Sequence, residues 1–93
     1  MAEIAQNGNR WDVSGDLEID NVNALLDASK ALTIADGAIV DFAKVTEIDT
    51  GAISLILEWK RRAIVEKKPL KFVNLPDNLN SLTQLYGVAD LIN

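Results

Sequence analysis

The stretch from Ala38 to Glu66, AIVDFAKVTEIDTGAISLILEWKRRAIVE, constrains this chain more than any other. It opens with a short apolar run, Ala38 to Asp41, followed by a connector, Phe42 to Asp49. An uninterrupted amphipathic segment then runs from Thr50 to about Glu66. Apolar residues without turn signals, then a hydroxyl residue at the mouth of a helical pattern, predict a central strand feeding a helix. The junction between them, Asp49-Thr50-Gly51, is the place to look for function.

The rest of the chain builds around that unit. Glu3 to Gln6 reads as an edge strand, Asn7-Gly8-Asn9 as a turn, and Arg10 to Ser14 as the returning strand, with Trp11 and Val13 on one face. Leu17 and Ile19 continue that strand past a bulge at Gly15-Asp16. Asp20 is placed as an N-cap for a helix carrying Val22, Leu25, Leu26 and Leu32 through about Ala31. Asp36-Gly37 then turns into the central strand. After Glu66, Lys67-Lys68-Pro69 suits a helix carboxyl end, since cations are favourable there and proline stops the pattern. Leu70, Phe72 and Val73 make the next strand, joined to the central one by a right-handed parallel crossover. Leu79, Leu82 and Leu85 recur at helical spacing up to Tyr86, with Gly87 as C-cap and Leu91 and Ile92 in a short tail. The expected order is β-β-α-β-α-β-α, an α/β fold with a small mixed sheet and helices mainly packed on one face.

With 93 residues the chain makes one domain, and its 48% hydrophobic content supports a modest core. The composition holds no cysteine and no histidine, which excludes disulfides, thiol chemistry, Cys/His metal sites and an imidazole base. The amino terminus has neither the basic region nor the apolar core of a secretory signal, and no apolar run is long enough to span a bilayer. The expectation is a cytoplasmic protein. A formal charge of −5 argues against a sequence-independent hold on nucleic acid. The cations are nonetheless clustered, with Lys60, Arg61, Arg62, Lys67, Lys68 and Lys71 in one region.

On the long helix, Ala52, Ile53, Leu55, Ile56, Leu57, Trp59, Ala63 and Ile64 cover an arc of roughly 200°, broken by Lys60. A helix lying on one sheet needs only about 100° of apolar stripe. Either neighbouring helices cover the surplus, or part of it is an exposed docking surface.

Catalytic readings fare badly. Thr50 is the best-placed hydroxyl, but threonine is a poor nucleophile without a base. Lys60 lies about 15 Å along the helix, too far to take its proton. Glu47 and Asp49 are merely two acids in a connector. No glycine-rich phosphate loop is present. For Thr50 two compatible roles remain. Its oxygen, or that of Asp49, caps the first helical turn. Alternatively, its hydroxyl is offered to a partner, or to a kinase, beside the apolar surface of Ala52, Ile53 and Leu55.

Three stretches, VSGDLEID at Val13–Asp20, IVDFAKVTEIDTGAISLIL at Ile39–Leu57 and LKFVNLPDNLNSLTQLYGVADLI at Leu70–Ile92, together resemble a STAS domain. That fold is shared by anti-sigma-factor antagonists and sulfate-transporter tails, and the resemblance covers nearly the whole chain. The length and the DTGA junction are most similar to the MlaB-type members, small cytoplasmic subunits of Mla-type ABC transporters. Those transporters move phospholipids between the inner and outer membranes of Gram-negative bacteria.

The resemblance implies a non-enzymatic, cofactor-free subunit that binds and stabilises or regulates a transporter ATPase (MlaF-like). That ATPase works with a membrane permease (MlaE-like) and a substrate-binding subunit (MlaD-like), with no direct membrane insertion by this chain. It assigns the ATPase contact to Thr50 within Asp49-Thr50-Gly51, and the docking face to the first half of the helix. The expected surface is Ala52, Ile53, Leu55, Ile56 and Trp59 as apolar area, with Arg61 and Arg62 as rim charge. The alternative within the family is an anti-sigma-factor antagonist or related partner-switching regulator controlled by phosphorylation. Those proteins have two hydroxyl residues after the aspartate, the second being phosphorylated. Here that position is Gly51, which cannot take a phosphate.

Overall fold

The computed structural model describes residues 2–85 and 87 of the chain. The amino-terminal alternation makes a hairpin. Glu3–Asn7 (β1) pairs antiparallel with Arg10–Leu17 (β2), with Asn7 opposite Arg10. Gly8 makes the tight turn at a φ of 62°, a conformation that a side chain disfavours. Then follow α1 (Ile19–Ser29), β3 (Ala38–Ile48), α2 (Thr50–Glu66), β4 (Leu70–Val73) and α3 (Asp77–Leu85). The element order is the expected one. The expected extension of the last helix to Tyr86 and the tail Val88 to Asn93 lie outside the described residues.

The four-stranded sheet has the order β1-β2-β3-β4, with β2–β3 and β3–β4 both parallel. Both parallel connections step across the sheet in the same direction. Right-handed crossovers of that kind put α1 and α2 on the same face, side by side. Between them and the sheet lies the core: Trp11, Val13 and Leu17 from β2, Ala38, Val40 and Phe42 from β3, and Ala52, Leu55, Ile56 and Trp59 from α2.

Three local expectations are corrected. Phe42–Ile48 is not a connector: β3 runs to Ile48, with register shifts against β2 between Asp12 and Ser14 and between Gly15 and Asp16. The shifts break the period-2 pattern, so this half reads as irregular although it is paired. Ile19 does not continue the strand but opens α1, and it is exposed. Asp20 is not the N-cap of α1: Glu18 occupies that position and gives no side-chain capping bond.

Candidate functional site

The Asp49-Thr50-Gly51 junction divides its tasks by residue. Asp49 is the N-cap of α2: one carboxylate oxygen accepts from Gly51 N–H at 2.7 Å. The other accepts from the backbone N–H of Ile19 at 3.1 Å, the first residue of α1. A single carboxylate therefore satisfies free amides at two helix starts, and its charge suits both positive dipole ends. Gly51 is the point where the helices touch. A Cβ built on it would stand 2.8 Å from both the Cα and the N of Ile19. Both contacts are backbone, so only glycine lets the two helix starts meet this closely.

Thr50, between these two, is the first residue of α2 and is exposed. Its hydroxyl makes no hydrogen bond among the described residues. Capping falls to Asp49, which leaves the Thr50 hydroxyl available to a partner. Ile19, 62% exposed, stands across the junction as an apolar neighbour.

The expected apolar docking face is not on the surface. Ala52, Ile53, Leu55, Ile56 and Trp59 are all buried, Trp59 to 1% exposure. The physical reason is that α1 and α3 cover the flanks of α2, so the wide apolar arc is used within the fold. Trp59 shows this directly. Its ring meets Trp11 edge-on at 5.6 Å, and its Nε1 donates to Ser29 Oγ at 2.9 Å. Arg62 is likewise committed inward rather than standing at a rim. It donates to the backbone oxygens of Ser29, at 2.8 Å, and Leu32, and lies over the Trp11 ring. Arg61 is exposed and pairs with Glu58 at 3.6 Å.

What α2 does present is a polar stripe: Thr50, Ser54, Glu58 and Arg61, all exposed at helical spacing. Ser54 and Glu58 also line a groove of about 520 Å³ against Val22, Asn23 and Leu26 of α1. Sequence reasoning passed over Ser54, Glu58 and the α1 wall. The signal for the first two was present, since they repeat every four residues from Thr50; the signal for α1 was not, because it needs the helix pairing.

Among the described residues no group of three or more acidic side chains is placed to hold a metal ion. No described helix is long and apolar enough to cross a membrane.

Comparison with known families decides what kind of domain carries this junction. The family model described as "Mlab, STAS domain" matches residues 2–93. The chain belongs to the STAS domain family. Its fold is also that of solved structures with little sequence in common. The crystal structure of Mglu matches at a TM-score of 0.60 and 24% identity, over 81% of this chain. This chain spans only 19% of the Mglu chain. The unphosphorylated anti-sigma factor antagonist SpoIIAA matches at a TM-score of 0.60 and 12% identity, over 91% of this chain and 83% of that one. At these identities the likeness concerns the fold. No curated protein matches the chain significantly. As a STAS domain matched by the family model described as Mlab, this chain has a regulatory, partner-binding fold.

Proposed function

We propose that this single-domain chain is the non-catalytic STAS subunit of an ABC-type phospholipid transport system that maintains outer-membrane lipid asymmetry. It binds the transporter's ATPase and stabilises or regulates it, at the cytoplasmic side of the inner membrane. ATP chemistry belongs to the ATPase, and lipid contact to the permease and the substrate-binding subunit. The contact is centred on the Thr50 hydroxyl, with Ile19 as its apolar neighbour and the stripe of Ser54, Glu58 and Arg61 extending it. Asp49 and Gly51 take part by fixing the junction that presents Thr50.

The observation that carries this reading over a phosphorylation-controlled regulator is the crowding at Gly51. The position where antagonists carry the modified hydroxyl is here in contact with the Ile19 backbone at a distance that admits no side chain. A surface without the phosphorylated residue suits a constitutive subunit. The MlaB description of the matching family model supports the same choice.

The test is an affinity pull-down from native membranes with wild-type protein and Thr50→Glu in parallel, with bound proteins identified by mass. Wild type should recover an ABC ATPase with its membrane subunits, and Thr50→Glu should not. Recovery of a soluble serine kinase or anti-sigma factor without an ATPase would overturn the reading in favour of the partner-switching regulator.

A further inference from the structure

The opposite end of α2, roughly 20 Å along the helix from Thr50, carries a surface that the Thr50 contact does not use. There Lys60, Ile64, Lys67, Lys68, Pro69 and Leu70 line a hollow of about 310 Å³. Its floor and walls are apolar and open to solvent: Ile64 is 76% exposed, and Leu70 is half-buried at the start of β4. Its rim is cationic. Lys60 is held over the Phe72 ring at 5.8 Å, and Lys67 projects from the left-handed residue that ends α2. Neither has an ion-pair partner among the described residues. Lys68 has an exposed partner in Asp36 at 3.3 Å.

The chain as a whole carries −5, yet this end is positive, and that asymmetry specifies what fits. An apolar hollow ringed by ammonium groups fits an apolar knob ringed by carboxylates. The hollow is shallow and open. The −5 carried by the chain as a whole opposes its lying flat on an anionic bilayer, which favours a discrete acidic segment of a protein. Membrane-surface helices carry a continuous apolar face opposite a polar face rich in Lys and Arg, whereas the apolar face of α2 is buried in the core. We propose that this hollow is a second docking site, which takes a segment of a protein partner carrying a bulky apolar side chain flanked by Asp or Glu. The site is independent of the Thr50 contact and does not rest on the transporter reading.

The test selects a phage-displayed library of random 12-residue peptides against the full chain, then titrates the enriched peptide into wild type, Lys60→Glu/Lys67→Glu, Ile64→Ser and Thr50→Glu. The altered side chains lie at the surface or along the hollow's rim, and amide chemical-shift mapping on wild type supplies a readout that does not depend on any variant folding. The expected result is an enriched motif pairing an aromatic or branched aliphatic residue with carboxylates, and shifts centred on Ile64, Lys67 and Leu70. Affinity should fall about tenfold or more for the charge-reversal pair and for Ile64→Ser, and stay unchanged for Thr50→Glu. No enrichment, a motif without carboxylates, or shifts centred on the Thr50 junction would each overturn the proposal. So would binding to phosphatidylglycerol vesicles that the charge-reversal pair abolishes with no acidic peptide selected, which assigns the surface to lipid. Self-association in sedimentation that the same pair abolishes would assign it to a second copy.

Discussion

Gly51 shows how much a missing side chain can decide. A serine there would put Cβ 2.8 Å from two backbone atoms of Ile19, and backbone has no rotamer with which to give way. Gly51→Ser should therefore push the start of α1 away and cost about 1–3 kcal/mol, as overpacking does. A chemical-denaturation midpoint lowered by that amount, with Thr50→Ser near neutral as the exposed control, checks it. Asp41 is a second residue with a measurable consequence. The Asn74 side-chain amide donates to its carboxylate at 3.0 Å, and the Ala43 N–H at 2.8 Å. These bonds, Asn74's first, hold its pKa below the ordinary 3.8. A carboxylate whose folded pKa is depressed adds stability that is fully present above its unfolded pKa. That stability is lost as pH falls from about 3.8 through the lower folded value. Asp41→Asn should thus flatten the acid limb of a stability–pH profile below pH 4, and an unchanged limb would show that Asp41 contributes nothing to it.

At the scale of elements, α1 is a helix finished at both ends by residues that lie outside it. It has no side-chain N-cap of its own and no basic residue in its last turn. Asp49, the cap of α2, takes its first amide, while Arg62 in α2 takes the carbonyls of Ser29 and Leu32 at its far end. The two helices run parallel, so the cap of α2 sits at one end of α1 and an α2 side chain at the other. This explains why the start of α1 was illegible in the sequence. Asp20 has the right residue type for a cap, but the real cap is 30 positions from Ile19 along the chain. It also explains why Arg62 looked like a free rim charge. Asp49→Ala removes a cap from two helices at once and should cost more than the about 1 kcal/mol typical of a single cap. Asp49→Asn, which keeps an accepting oxygen, should recover part of it. A thermal melt of the two variants makes the comparison. The end of α2 predicts the opposite sign. Lys67 adopts φ 57°, ψ 38°, with the Lys68 N–H reaching Ala63 O at 3.0 Å. Lys67→Gly relieves a left-handed lysine and should raise stability by up to about 1 kcal/mol.

Across the whole molecule, the order of elements could be read because each core segment carries a clear period, and β4 and α3 end at visible turn residues. What could not be read depends on which element covers which. Ala52, Ile53, Leu55, Ile56 and Trp59 form an arc wide enough for a sheet and a partner, and only the placement of α1 and α3 shows that the fold consumes it. The same placement joins the layers through aromatic contacts. Trp11 on β2 meets Trp59 on α2, Trp59 meets Phe42 on β3 at 6.5 Å, and Phe42 meets Phe72 on β4 at 6.0 Å. Trp59 is tied to α1 through Ser29, and the Trp11 indole donates to Thr33 O at 3.3 Å. These are the only tryptophans in the chain, so both fluorophores report on one core that spans sheet and helices. A domain of this size joined in this way should unfold in a single step. Tryptophan fluorescence and far-ultraviolet circular dichroism should give the same urea midpoint in wild type, in Trp11→Phe and in Trp59→Phe, even as the variants shift that midpoint downward. A fluorescence transition that precedes the loss of helix in any of the three would mean that α2 leaves the sheet before the domain unfolds. The junction that presents Thr50 would then be held by its two helix caps alone rather than by the core beneath it.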